Sequence, residues 1–282
     1  RDCLLSRGLG DVYKRQIQAG TSHFLGQNFS KSQNICFAGR DNTQQFAWTS
    51  SWGVSTRMIG ALIMMHSDDD GLVCPPCVAP QQVVIIPVTP KEDTRQAVLD
   101  HCEELARTLR AKTFHGQPLR VLVDRRDLGG GAKKWEWIKK GVPVRLEIGP
   151  RDLEKGSVCF QRRDQAPNEK TFLPETELAD TITDILQNIQ DTLLNKAVAF
   201  RDAHIRPAST LRELEENFSG EGDADWLQVP WDGSPEEEEE LAKRLRISIR
   251  CIPLGELGHG DPAPCILTGR LTERRVLWAR SY

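Results

Sequence analysis

The sequence predicts a chain of several domains, α/β and α+β in class. A stretch of antiparallel strands leads into a small mixed α/β domain and then a smaller α+β domain. Three observations carry this reading. Residues 17–80 are rich in Gly, Ser, Thr and aromatics and alternate in places, as in Gln45-Phe46-Ala47-Trp48-Thr49, which is the signature of strands and turns. Val83-Val84-Ile85-Ile86-Pro87-Val88 is an unbroken apolar run suited to a buried strand. Behind it, Val98, Cys102, Leu105 and Leu109 recur at the spacing of an amphipathic helix. At about 150 residues per domain, 282 residues allow two or three domains.

Taken in order, residues 1–16 (RDCLLSRGLGDVYKRQ) show neither a helical nor a strand period. After the strands of 17–80 comes a short helix around Ser55–Met65. The amphipathic helix covers Glu92–Lys112, and Arg120–Asp124, Pro143–Gly149 and Ser157–Arg163 read as further strands. Strand, helix, strand with a charged helical insert at Lys133–Lys140 makes a mixed α/β domain near 81–186. A long helix follows, roughly Glu175–His204, with Leu178, Ile182, Ile185, Leu186, Ile189 and Leu193 on one face. In the tail, Glu236–Glu240 reads as the exposed start of a helix and Ile247–Ile252 as a short strand.

Composition removes several classes. Charged residues are 27% and hydrophobic ones 39%, a globular profile. The longest apolar run, Ile59 to Met65, is far shorter than the roughly 20 residues a membrane span needs. No apolar secretory core stands near residue 1, so a cytoplasmic protein is expected. The eight cysteines (3, 36, 74, 77, 102, 159, 251 and 265) are scattered in a chain too long to need a disulfide framework, and read as reduced thiols. The formal net charge of −3 hides a segregation. Arg125–Arg163 holds eleven basic residues against five acidic ones, a net +6, whereas Glu213–Glu240 holds twelve acidic residues and no basic one. The basic stretch suits phosphates, and equally a solvated face.

Four motifs stand out. Thr21-Ser22-His23 and Gln27-Asn28 offer short-reach donors and acceptors, as a small-molecule pocket or a polar turn would. Ser50-Ser-Trp-Gly-Val-Ser-Thr-Arg57 is a strand-to-helix transition with one Arg at the helix start, a geometry that can bind phosphate through backbone N–H groups and a guanidinium, and equally an ordinary surface Arg. Cys74-Pro-Pro-Cys77 is half a zinc site or a redox pair by spacing, but no second CxxC or HxxxH exists to complete a metal set. A redox role would need a low thiol pKa there. Gly129–Lys134 lacks the spacing of a phosphate-cradling loop.

Several of these stretches together carry a family resemblance. Ile17-Gln-Ala-Gly-Thr-Ser-His-Phe-Leu-Gly-Gln-Asn-Phe-Ser30, Phe46-Ala-Trp-Thr-Ser-Ser-Trp-Gly-Val-Ser-Thr-Arg57 and Gly71-Leu-Val-Cys-Pro-Pro76 closely resemble the catalytic domain of the class II prolyl-tRNA synthetases, in their archaeal/eukaryotic-type branch. The match continues through Val83–Pro87, Lys140-Gly-Val-Pro-Val-Arg-Leu-Glu-Ile-Gly-Pro-Arg-Asp152, Arg162-Arg-Asp164 and the terminal Arg280-Ser-Tyr282, so it is collinear over about 17–282. It implies ATP-dependent activation of proline to prolyl-adenylate, with Mg2+ expected alongside ATP, and transfer to tRNA(Pro) by a homodimeric enzyme. Carried over by position, Gln18, Thr21, Ser55 and Arg57 contact ATP, with Arg57 on the γ-phosphate. His23, Trp52 and Gly53 line the proline pocket. The catalytic residues expected are Arg57 and His23, the latter for shape and hydrogen bonding more than as a base.

The same resemblance divides the chain into a part of the catalytic domain over 17–80, an anticodon-binding domain with a mixed five-stranded sheet over 81–186, and a small C-terminal domain over 187–282. RNA loops are read by stacking splayed bases and hydrogen-bonding their edges while cations hold the backbone. Lys133, Trp137, Arg145, Glu147, Arg151 and Asp152 are the expected anticodon residues, Arg145 and Glu147 sharing a strand face. A carboxylate on guanine N1/N2 and arginines on O6/N7 or phosphate would suit the G bases of a proline anticodon. Gly129-Gly130-Gly131-Ala132 and Ile138 depart from the family pattern beside these residues.

Zinc-bearing members place four cysteines in the C-terminal domain. Here Asp232, Glu237, Cys265 and Leu267 stand at those positions, so no structural zinc is expected, with packing by Ile249, Ile252, Ile266, Val276 and Trp278 in its stead. Family motifs 1 and 2 precede the Gln18 stretch and are not among these residues, and 1–16 match nothing in the family, which reads as a non-native leader on a C-terminal fragment. The alternative is a non-catalytic tRNA-binding or interaction module. The purified 282-residue chain should therefore show no proline-dependent ATP–pyrophosphate exchange. Exchange above the no-proline background would overturn this.

Overall fold

The structure, a computed structural model, describes residues 9–10, 16–17, 20–89, 92–166, 169–220 and 224–280. The chain divides into two compact units, one formed by Met65–Ala199 and the other by Arg1–Met64 with Phe200–Tyr282.

In the second of these, Gly20–Gly26 (β1) pairs antiparallel with Thr49–Val54 (β2), and Arg57–His66 (α1) follows directly. Leu9–Gly10 pairs with Gln16–Ile17, a ladder of two residues and too short to leave a period in the sequence. The rest of 1–16 lies outside the described residues.

Met65–Ala199 is built on Val83–Pro87 (β3), Glu92–Arg110 (α2), Val121–Val123 (β4), Gly130–Lys139 (α3), Val144–Ile148 (β5), Pro150–Lys155 (α4), Ser157–Arg162 (β6), Thr171–Pro174 (β7) and Glu175–Ala203 (α5). The expected five-stranded mixed sheet forms in the order β4-β3-β5-β6-β7. β4 and β5 run parallel to β3, while β6 and β7 return antiparallel. The apolar run at 83–86 is explained by this placement, because β3 is buried on both faces. Val83 and Ile85 join the core under α2 and α5, and Val84 and Ile86 meet Trp137 and Val142 under α3. The α5 stripe Leu178, Ile182, Leu186, Ile189 and Leu193 is fully buried, with Ile185 at its margin. Each such side chain contributes roughly 1.5–3 kcal/mol by leaving water.

The C-terminal strands are Ile205–Pro207 (β8), Trp226–Pro230 (β9), Ile247–Cys251 (β10), His259–Pro264 (β11) and Leu271–Arg280 (β12), with helices Leu211–Phe218 (α6) and Pro235–Leu245 (α7). Their sheet runs β8-β9-β12-β10, with β11 pairing β12. The acidic run does open a helix. Ser234 caps α7 by accepting from the Glu237 N–H, and Glu237 returns a bond to the Ser234 N–H, a favourable place for carboxylates. Val276 and Trp278 are core residues, and Ile249 and Ile266 pack against them. Ile252 is not: it lies past the end of β10 and before Pro253, and is exposed.

The connector between α1 and β3 is fastened to this central sheet's own helix. Leu72 and Cys74 donate backbone bonds to Lys139 and Gly141 carbonyls. The buried Arg163 guanidinium donates to both Asp68 carboxylate oxygens at 2.6 and 2.5 Å, to Gly71 O and to Ile138 O. This close approach needs glycine at 141, where φ is +71° and a Cβ would stand 2.5 Å from Leu72 O. Replacing Gly141 by Ala should destabilise the chain by about 2 kcal/mol or more in urea unfolding, through backbone strain and the clash together. An unchanged midpoint would show that the connector is not held there.

Candidate functional site

The N-terminal corner is set by register. β1 and β2 pair Thr21 with Gly53, Ser22 with Trp52 and His23 with Ser51. Directly paired residues share a face, so the pleat puts Thr21, His23 and Gly53 together and Trp52 on the opposite face beside Ser22. Trp52 is 76% exposed there, on the same strand face as Phe24, whose ring stacks with Trp48. Arg57 is the first residue of α1, exposed, with its own N–H donated to Ser55 Oγ at 3.2 Å. Its guanidinium has no partner among the described residues and stands at a helix start, where backbone N–H groups also favour anions. Gln18 lies outside the described residues.

Three expected RNA-facing residues are instead taken up inside the central sheet's α3 layer. Trp137 Nε1 donates to Asp124 Oδ2 at 2.8 Å and Lys133 Nζ to the Asp124 carbonyl at 3.0 Å; both side chains are buried. Arg126 grips the same carboxylate through Nε and Nη2, and also meets Glu136 at 2.7 Å, which in turn holds Lys140. Arg126 and Lys140 lie over the Trp137 ring. Arg145, the third, is 1% exposed on β5. Asp124 is the hub that the sequence pattern did not expose, since its only mark is an acidic residue ending an apolar strand. The Arg126 guanidinium, followed by the Trp137 N–H, outweighs burial and pulls the Asp124 carboxyl down to about 2.

Glu147, Arg151 and Asp152 do come together. They line a cleft of about 590 Å³ beside the C-terminal ends of β3 and β5, with Cys159, Lys170 and Phe172. The sheet register aligns Glu147, Cys159 and Phe172 in one cross-strand row. Phe172 is 63% exposed. Glu147 accepts from Lys170 Nζ at 3.2 Å and has Lys134 Nζ at 3.9 Å; the hydrogen bond, and then the carboxylate charge, hold the Lys170 ammonium above the usual lysine range. Asp152 Oδ2 accepts from the Gly149 N–H, fixing the start of α4. Arg151 is exposed and has no hydrogen bond or ion pair among the described residues. Lys170 and Phe172 were not visible as site residues because no spacing ties them to Glu147; only the pairing of β6 with β7 does.

The cysteines follow their surroundings. Cys74 is buried and its thiol pushed up by that burial, while Cys77 is exposed, so the pair lacks the low-pKa thiol of a redox site at Cys74. Cys265 is opposed by burial, yet bonds from the Thr268 side chain and from the backbone N–H groups of Thr268, Leu267 and Asp232 bring its thiol below the usual range. Asp232 is meanwhile paired to Arg270. Among the described residues, no three His, Cys, Asp or Glu side chains gather as a metal set.

With this geometry in place, the comparisons give first a class. Residues 82–185 match the family model described as "Anticodon binding domain", so the cleft lies within an anticodon-binding domain. Residues 216–282 match the model described as "Prolyl-tRNA synthetase, C-terminal". The chain is 90% identical over 269 residues to the proline--tRNA ligase of Akkermansia muciniphila, covering 95% of this chain and 53% of that protein. It is 48% identical over 279 residues to proline--tRNA ligase 2 of Anaeromyxobacter dehalogenans, and 45% over 273 residues to the ligase of Bdellovibrio bacteriovorus, covering 95% of this chain and 54% of each relative. Proline--tRNA ligases are therefore the homologues that cover this chain, which spans about half the length of these curated relatives.

The Asp124 hub makes acid stability a measurable consequence. A carboxyl held near 2 when folded and near 3.9 when unfolded adds stability above pH 4, and that contribution fades as pH falls from about 4 to about 2. Asp124→Asn should lower stability at pH 7 and flatten its fall between pH 4 and 2, read by Trp fluorescence during urea unfolding. Parallel curves for variant and parent across that window would refute the role given to Asp124.

Proposed function

We propose that the whole protein joins proline to tRNA(Pro) with ATP, through prolyl-adenylate, and that this chain supplies the anticodon-reading domain and one corner of the nucleotide site. The observation that carries the reading is the cleft of Glu147, Arg151, Asp152, Lys170 and Phe172 inside the residues that match an anticodon-binding domain. Its chemistry suits a splayed RNA base. A carboxylate accepts from guanine N1 and N2, a free guanidinium serves O6/N7 or phosphate, and an exposed ring stacks on a base face.

At the nucleotide corner, Arg57 would hold the γ-phosphate of ATP, with Gln18, Thr21 and Ser55 beside the nucleotide. His23 and Gly53 would border the proline, and Trp52 would serve there through its backbone rather than its ring. Catalysis of this kind rests on holding the proline carboxylate in line with the α-phosphate and neutralising charge as pyrophosphate leaves. Mg2+ would accompany ATP and share that neutralisation. We further propose the archaeal/eukaryotic-type branch on the motifs quoted above; it describes the type of sequence, the relatives named being bacterial. A homodimeric, cytoplasmic protein with a zinc-free C-terminal domain completes the reading. Its division is into 17–80, 81–186 and 187–282.

Binding of the 282-residue chain to the tRNA(Pro) anticodon stem-loop tests the proposal. Replacing either anticodon G by A should weaken binding about 5-fold or more. Phe172→Ala should cost about 1–3 kcal/mol if its ring stacks on a base. Arg151→Ala should weaken binding and lower the salt slope by about 0.7–1 if it meets a phosphate. Equal affinity for G and A stem-loops would defeat the anticodon reading.

A further inference from the structure

The helix α3 carries an aromatic ring and a cation on its outer side that neither the sheet nor the cleft uses. Lys133 and Trp137 face the sheet and are buried. Ala132, Trp135 and Lys139, at spacings of three and four, form the opposite, exposed stripe. Trp135 is 44% exposed. A lone exposed ring is ordinary on a protein surface. This one is set apart by its partner, for Lys139 Nζ lies over the indole, 5.8 Å from its centre.

Lys139 also differs from the other lysines of this segment. Lys133 donates to the Asp124 carbonyl, Lys134 stands 3.9 Å from Glu147, and Lys140 meets Glu136 at 2.6 Å. The Lys139 ammonium has no hydrogen bond or ion pair among the described residues, only the ring. Its backbone is fixed all the same. The Leu72 N–H donates to the Lys139 carbonyl at 3.1 Å, and a Cβ on Gly71 would stand 2.7 Å from Lys139 Cα. The connector therefore pins this end of α3, and the pair stands on a rigid element. The helix also borders the cleft, because Lys134, the residue before Trp135, approaches Glu147 in its lining.

We infer that Trp135 and Lys139 form a separate RNA contact outside the cleft, which holds the strand whose base the cleft takes. The indole lies against the face of a neighbouring unstacked base, and the ammonium turns from the ring to a phosphate. Both contacts tolerate any sequence, since every base has a π-face and every nucleotide a phosphate. Lys139 can meet a phosphate without leaving a carboxylate, whereas Lys134 and Lys140 would first have to part from Glu147 and Glu136. The pair thus adds affinity and orientation and leaves the choice of base to the cleft. The inference rests on the anticodon reading for its partner, RNA, and on the geometry of α3 for the contact.

The test is binding of the 282-residue chain to the tRNA(Pro) anticodon stem-loop, with G or A at each anticodon G. Lys139→Gln should weaken binding to both forms by the same factor and lower the salt slope by about 0.7–0.9. Trp135→Ala should weaken both about 5-fold or more, and Trp135→Phe should keep most of the affinity. RNA should quench tryptophan emission more in the parent than in Trp135→Phe. Both side chains are exposed, so the variants should keep urea midpoints near the parent's. Unchanged affinity and salt slope in Lys139→Gln and Trp135→Ala, with G-over-A selectivity intact in the parent, would overturn the inference. So would a Lys139→Gln variant that loses only stability, which would make Lys139 a cation serving the dipole of a helix C-terminus. Loss of G-over-A selectivity in the parent itself would instead mean that the anticodon reading has failed, and this inference with it.

Discussion

The central sheet must bury charge on one of its faces, and the rest of the structure is arranged around that constraint. Under α2 and α5 the interior is wholly apolar and needs only shape. Under α3 the layer holds Asp124, Lys133, Arg145, Gln161 and Arg163, all nearly out of water. Such groups cost several kcal/mol apiece when unpaired, so each has to be met within the layer or by something that comes to it. Asp124 is met by Arg126, Trp137 and Lys133, and that set fastens α3 to the end of β4. Arg163 is met by Asp68, Gly71 and Ile138, and that set brings the connector down onto α3. Where pairing is complete, charge serves as structure.

The cleft lies where pairing is incomplete. On the same face Arg163 is fully met, Arg145 has two nitrogens without a partner among the described residues, and at the rim Arg151 has no hydrogen bond or ion pair among them. The sheet itself produces this gradient. α3 covers β3 and part of β5, whereas β6 and β7 extend beyond it and leave Phe172 in solvent. The cleft thus opens at the edge of a helix's cover, with rigid strands fixing Glu147, Cys159 and Phe172 in a row.

Local periodicity explains which parts were legible in the sequence. The helices at 92–110 and 175–203 and the strands at 83–87, 144–148 and 157–162 each bury a stripe or a run that is contiguous in sequence. That Glu147, Arg151 and Asp152 line one cleft is legible because they lie within six residues on one strand and the turn after it. Lys170 and Phe172 were not, because they reach the cleft through antiparallel pairing with β6 across a turn. Lys133 and Trp137 were misjudged in position for a related reason. A helix with charges all round gives no sign of which face is covered, and here the covered face includes a lysine whose ammonium finds a backbone carbonyl. Nor does the sequence show that Trp52 and His23 fall on opposite faces, which depends on the register of β1 with β2.

Placement also changes what the net +6 of residues 125–163 means for RNA. Counterion release depends on cations that can reach phosphates, not on a tally along the chain. Lys133, Arg145 and Arg163 are buried. Arg125, Arg126, Lys134, Lys140 and Arg162 are tied to Glu103, Asp124, Glu136, Glu147 or Asp164. Arg151 is the cation of this stretch that both lines the cleft and is unpaired among the described residues. On the proposed reading, such an interface would gain little from bulk charge and would draw its selectivity from base edges and stacking.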